Sequence, residues 1–161
     1  MFACKVTKMA TIKAKDFLNK HAVQTEDQVY DSLAEYMRKV HPEVPYRFDF
    51  GAGLKMGFAR AKQQKRIQHG RAWPDLFIAV PKLEHDPYGG GYYHGLFIEI
   101  KRPGTVVFKK DGSLRNDEHL QEQYEVIKQL RESGYAACFA VGFDECVKII
   151  ENYFAGCTIT D

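Results

Sequence analysis

The sequence predicts an α/β domain, a mixed sheet flanked by helices, and three observations carry that expectation. Two short apolar runs, within Trp73-Pro74-Asp75-Leu76-Phe77-Ile78-Ala79-Val80 and Leu96-Phe97-Ile98-Glu99-Ile100-Lys101, are bounded by Pro and Gly and read as a hairpin of buried strands. Three stretches repeat apolar residues at helical spacing, one before the hairpin and two after it. A third apolar run, Tyr135 to Val141, begins directly after Ser133-Gly134, a helix stop. The resulting order is helix, strand, strand, strand, helix, strand, helix. At 161 residues, 45% of them hydrophobic and 13% aromatic, the chain is long enough to bury one good core and short for two.

Residues 1–24 form a basic segment (Lys5, Lys8, Lys13, Lys15) whose weak patterning leaves an arm, a strand or a short helix open. Residues 25–161 are read as the single domain. Its first helix opens at a capping box, Thr25-Glu26-Asp27-Gln28, and continues as the stripe Val29, Leu33, Met37 and Val40 until Pro42 and Pro45. Tyr46-Arg47-Phe48-Asp49-Phe50 alternates aromatic and charged residues, as a strand with one wet face does, and Gly51-Ala52-Gly53 stops it. Between Leu54 and the hairpin stand Lys55, Arg60, Lys62, Lys65, Arg66 and Arg71, with no acid before Asp75. Such a run is either a solvated surface or a patch for a phosphate backbone.

Pro81 to His94 links the hairpin strands; its tyrosines could stack on bases, but a plain flexible tip is the expectation. Pro103 to Arg115 leaves the opposite end with Arg102, Lys109 and Lys110 about it, a place suited to touching substrate. Asn116-Asp117 opens a second helix in which Leu120, Gln123, Ile127 and Leu130 share a stripe, so that a polar Gln123 falls on the buried side. After the Tyr135 to Val141 strand, Glu145 to Phe154 repeats a helical pattern through Val147, Ile150 and Phe154. Cys157 to Thr160 suits a short edge strand.

A formal net charge of +2 announces no nucleic-acid binder by composition, so any basic surface must be local. Cys4, Cys138, Cys146 and Cys157 show no CxxC spacing and read as buried thiols. No apolar run suits a signal segment or a membrane span, so the expectation is a soluble, intracellular, cytoplasmic protein (host cytoplasm if viral).

Folding the hairpin antiparallel sets Asp75, at the start of one strand, beside Glu99 and Lys101, at the end of the other. Alternation puts Phe97, Glu99 and Lys101 on one face. Two carboxylates and an ammonium then meet at the end of an apolar hairpin, where uncompensated charge is expensive. Asp75, Glu99 and a main-chain carbonyl between Glu99 and Lys101, that of Ile100, are hard oxygen ligands suited to Mg²⁺ or Mn²⁺. With Lys101 to orient water or steady a phosphoryl oxygen, the set suits metal-assisted phosphodiester hydrolysis. The plainer reading is a Glu99–Lys101 surface ion pair and a turn at Pro74-Asp75.

Trp73-Pro74-Asp75-Leu76, His94-Gly95-Leu96-Phe97-Ile98-Glu99-Ile100-Lys101-Arg102-Pro103-Gly104 and Gln123 through Gly134-Tyr135 resemble the VRR-NUC (virus-type replication-repair nuclease) family of PD-(D/E)xK nucleases. The resemblance runs from about Thr25 to Phe154. It implies the restriction endonuclease-like core and a Mg²⁺- or Mn²⁺-dependent DNA endonuclease, selective for branched or Holliday-junction DNA. It also implies roles: Asp75 and Glu99 as metal ligands, Lys101 as catalytic lysine, Gln123 as the helix glutamine near the site, and Glu26 completing the metal shell. By itself, an acid such as Glu26 in a helix's first turn is favoured by the helix dipole, metal or not. The sequence departs from the family at Ala72, where a glycine is usual, and at Trp73, where a smaller apolar residue is usual. Paired cuts in a junction would need two sites, hence a homodimer expectation. The competing functions are a catalytically silent DNA-binding module of the same fold and a nuclease using some of His69, His85, His94 and His119, whose spacing matches no metal motif.

Overall fold

A computed structural model of the chain describes residues 25–49, 62–63, 66–67, 72–83 and 91–156. The expectations for residues 1–24, Lys55, Arg60, Lys65, His69, Arg71, His85, Cys4 and the Cys157 to Thr160 strand lie outside the described residues. Helix α1 (Glu26–Val40) opens as its sequence requires: the Thr25 hydroxyl accepts from the Gln28 amide at 3.3 Å, and the Gln28 side chain accepts from the Thr25 amide at 2.9 Å. Its buried stripe is Val29, Leu33, Tyr36 and Met37.

Strands β1 (Tyr46–Phe48), β2 (Leu76–Ile78), β5 (Leu96–Lys101) and β6 (Ala136–Val141) form one sheet in the order β1-β2-β5-β6. The first two pairings are antiparallel; β5 and β6 run parallel. A parallel neighbour needs a crossover, and α2 (Glu118–Glu132) supplies it. Helix α3 (Gly142–Ala155) follows β6 directly. The expected order therefore holds, with one addition inside the Pro81 to His94 tip. There β3 (Lys82–Leu83) pairs antiparallel with β4 (Tyr92–Tyr93). Strands of two residues are too short for alternation to show, which is why the sequence reads as loop.

Two cores lie on opposite faces of the sheet. Helices α1 and α3 cover one face with Val29, Leu33, Phe143 and Ile150 against Leu76, Ile98, Ile100 and Cys138. Helix α2 covers the other with Leu120, Ile127 and Leu130 against Phe97, Ala137 and Phe139. Being covered twice, β5 and β6 have no polar side, and both read as continuous apolar runs. The one charged residue deep in β5, Glu99, is therefore conspicuous.

The buried stripe of α3 ends on Tyr153 rather than Phe154: Tyr153 donates to the Val80 carbonyl, while Phe154 is half-buried and lies against His41. Cys138 and Cys146 are buried, as expected. The Pro103 to Arg115 segment is a small folded unit in which Phe108 bridges to Leu114 and packs on Tyr124 and Phe139. At Gly95 a methyl would stand 2.8 Å from the Ile78 carbonyl oxygen, so close pairing of β2 with β5 requires glycine there. Among the described residues no helix is long and apolar enough to cross a membrane.

Candidate active site

The β2–β5 register builds the site. Leu76 pairs with Ile98 and Phe77 with Phe97, so the next position outward sets Asp75 level with Glu99. Pro74 is buried, and the Asp75 carbonyl accepts from the Asp49 amide at 2.8 Å, which ties this strand end to β1. One oxygen of Asp75, Oδ2, accepts the Ile100 amide at 2.7 Å. Within a strand a residue's N–H and C=O point to the same edge, so the Ile100 carbonyl is turned to the Asp75 side too.

Glu99 and Lys101 share the α2 face. Lys101 Nζ donates to Glu99 Oε1 and to Gln123 Oε1, each at 2.8 Å, and Gln123 Nε2 donates to that same Glu99 oxygen. Glu99 is 2% exposed and Gln123 5%, so both are closed off from water, while Lys101 keeps 13% of its side chain exposed. Gln123, polar on an otherwise apolar stripe, is accounted for by these two bonds. The ordinary alternative for the ion pair, a solvated surface contact, is excluded by burial.

Sequence reasoning missed Tyr30. Its hydroxyl reaches Glu26 at 3.3 Å and also hydrogen-bonds Asp75, so it spans the first turn of α1 and the strand end. The available signal was its place four residues after Glu26, hence on the same helix face. Glu26 itself is exposed and acts on Asp75 electrostatically, raising its affinity for a proton.

The charges are not balanced. Burial pushes Asp75 up to about 6, although the Ile100 amide, the Tyr30 hydroxyl and Lys101 pull it down. Burial pushes Glu99 further, to about 8, and the neighbouring Asp75 charge adds to it; Lys101 opposes both without prevailing. Asp75 stands near enough to Glu99 to raise its hold on a proton, as two adjacent carboxylates do. Glu99 Oε2 is buried with no hydrogen-bond partner. A buried carboxylate oxygen without a partner, on a residue that neighbours a second carboxyl, suits a cation, and the all-oxygen donor set fits a hard divalent ion. Among the described residues no three His, Cys, Asp or Glu side chains form a metal-holding group, so the fit rests on the Asp75–Glu99 pair and the Ile100 carbonyl, with Glu26 one hydroxyl away.

A solved structure described as a VRR_NUC domain protein superimposes with a TM-score of 0.58 over 87% of this chain and 100% of that one, at 23% identity. The chain has a VRR-NUC-like fold. No family model matches the sequence, and no curated protein matches it. The likeness therefore concerns architecture, and the chemistry rests on the residues described above.

Of the remaining residues expected at the site, Arg102 is exposed at the end of β5, next to Lys101. Lys62 and Arg66 are helical and exposed. His94 packs against Tyr92 and Tyr135, at the end of the β2–β5 pair away from Asp75, and His119 lies 3.7 Å from Glu122. Among the described residues neither histidine joins a metal-holding group.

Proposed function

We propose that the protein is a Mg²⁺- or Mn²⁺-dependent endonuclease that hydrolyses phosphodiester bonds in DNA, with branched or junction DNA as substrate. The observation that carries this reading is the Asp75–Glu99 pair, with an orphaned oxygen on the buried Glu99, beside a lysine fixed by Gln123. Asp75, Glu99 and the Ile100 carbonyl would hold the ion. When bound, a divalent cation supplies Lewis acidity, making water a better nucleophile at neutral pH and offsetting phosphoryl charge.

The chain's own residues do the rest. Lys101 is an ammonium held in one rotamer by two acceptors, so its third N–H is aimed rather than mobile, ready for a water or a phosphoryl oxygen. Gln123 prevents Lys101 from collapsing onto Glu99 alone. In the reaction water adds to phosphorus and one P–O ester bond breaks; Lys101 stabilises the charge that accumulates meanwhile. Exposed cations, Arg102 among them, suit the phosphate backbone.

The test is cleavage of linear, nicked, flap and four-way-junction DNA, each with Mg²⁺, Mn²⁺ or a chelator. Cutting should require metal and vanish in Asp75→Asn and Lys101→Ala proteins that still fold. Unchanged cutting in both variants refutes the mechanism, and DNA binding that persists in chelator with no substrate ever cut would favour a silent binding module.

A further inference from the structure

Trp73 stands two residues before Asp75 and is 46% exposed, a large apolar surface left in water at the border of a charged site. It is not loose. Its ring meets Phe97 edge-on, with centroids 5.5 Å apart, and Phe97 is stacked on Phe77 at 4.3 Å and braced by Tyr135. Phe97 lies on the same strand face as Glu99, so the indole is anchored to the face that carries the carboxylates. Trp73 rests on Phe97, a member of the α2-side core, and the rest of it stays in water. Burying that remainder would gain stability, and the chain instead leaves it open.

We infer that Trp73 is a stacking platform for an unpaired base of single-stranded DNA next to the scissile phosphate. A rigid indole offers a flat face to any base, whereas bases inside a duplex are already stacked and closed to it. The inference rests on the nuclease reading for the identity of the ligand. It adds a cause for structure selectivity: a frayed, flap or junction strand supplies the free base that an intact duplex withholds.

The chain has one tryptophan, so its intrinsic fluorescence reports this position alone. Whole protein in chelator is titrated with a single-stranded oligonucleotide, a splayed duplex and a blunt duplex, following both Trp73 emission and the anisotropy of labelled DNA. Single-stranded and splayed DNA should quench the emission; blunt duplex should not. Trp73→Ala should weaken binding of single-stranded and splayed DNA by about tenfold, the scale of one base–aromatic stack, and blunt duplex by less than twofold. Trp73→Phe keeps a ring against Phe97 and should recover most of the loss. Absence of single-strand binding, binding without quenching, or an equal loss on duplex and single strand overturns the inference. Cleavage measured separately distinguishes the two readings: cutting without quenching removes the platform alone, and quenching without cutting removes the nuclease alone.

Discussion

Replacing Glu99 with glutamine should stabilise the metal-free protein. In the fold this carboxyl is shifted from an ordinary 4.5 to about 8, by burial first and by Asp75 second. At pH 7 the folded chain must therefore hold a proton on Glu99 that the unfolded chain releases, and a gap of that size costs about 3 kcal/mol. Glutamine is the neutral isostere of the protonated acid. Its carbonyl can accept from Lys101 and Gln123 as Oε1 does, and its amide stands in for the protonated oxygen at the orphaned position. Imperfect mimicry reduces the gain, so Glu99→Gln is expected to add roughly 2 kcal/mol at neutral pH.

The sign with pH follows from the direction of the shift. A carboxyl whose folded value is raised favours folding below its unfolded value, and that contribution is lost as pH climbs to the folded one. Wild-type stability in chelator should thus fall between about pH 4.5 and about pH 8, while Glu99→Gln stays flatter. Urea unfolding followed by circular dichroism across that range measures both curves. They should converge near pH 5 and separate above pH 7. A variant less stable than wild type at pH 7.5, or two parallel curves, would refute the account of a carboxyl buried at a cost.

Mg²⁺ should raise the melting temperature of the wild type at pH 7.5 and leave Glu99→Gln unmoved, since ion binding to the native state adds stability by mass action; thermal scans with and without metal decide it. Gln123→Ala frees Lys101 from one of its two acceptors. It should lower kcat at least tenfold with little change in KM, as steady-state cleavage kinetics will show. Tyr30→Phe removes the hydroxyl that joins Glu26 to Asp75. Metal affinity measured by calorimetry should fall by about tenfold, the usual effect of losing a partner behind a ligand. Ile127→Ala, deep under α2, should cost about 3 kcal/mol in urea unfolding and leave cleavage per folded molecule unaffected.

How much of this was legible in the sequence depended on whether a residue's role is written in spacing or in distance. Thr25 and Gln28 form the capping box, Gln123 sits buried on its stripe, and Asp75 comes level with Glu99, because each follows from a local period of the chain. Tyr30 did not show itself, since its bond to Asp75 joins residues 45 positions apart in the numbering and no periodicity encodes such a pairing. The β3–β4 ladder was invisible for the opposite reason: it is local but shorter than any period.

Within β5 these two kinds of information conflict, and the conflict identifies the site. Local pattern and double coverage demand six apolar side chains in Leu96–Lys101, and four of them comply. Glu99 and Lys101 do not, and their mutual attraction does not settle the difference, because burial and Asp75 together outweigh Lys101. A pair retained only for structure would be better replaced by apolar residues of similar volume, which often leaves stability equal or higher. The proton that Glu99 holds in the metal-free fold is what a divalent cation would displace. Stability and ion affinity should therefore move in opposite directions at position 99: Glu99→Gln should gain stability in chelator and lose the Mg²⁺-dependent rise in melting temperature, and a variant that does only one of these refutes the account.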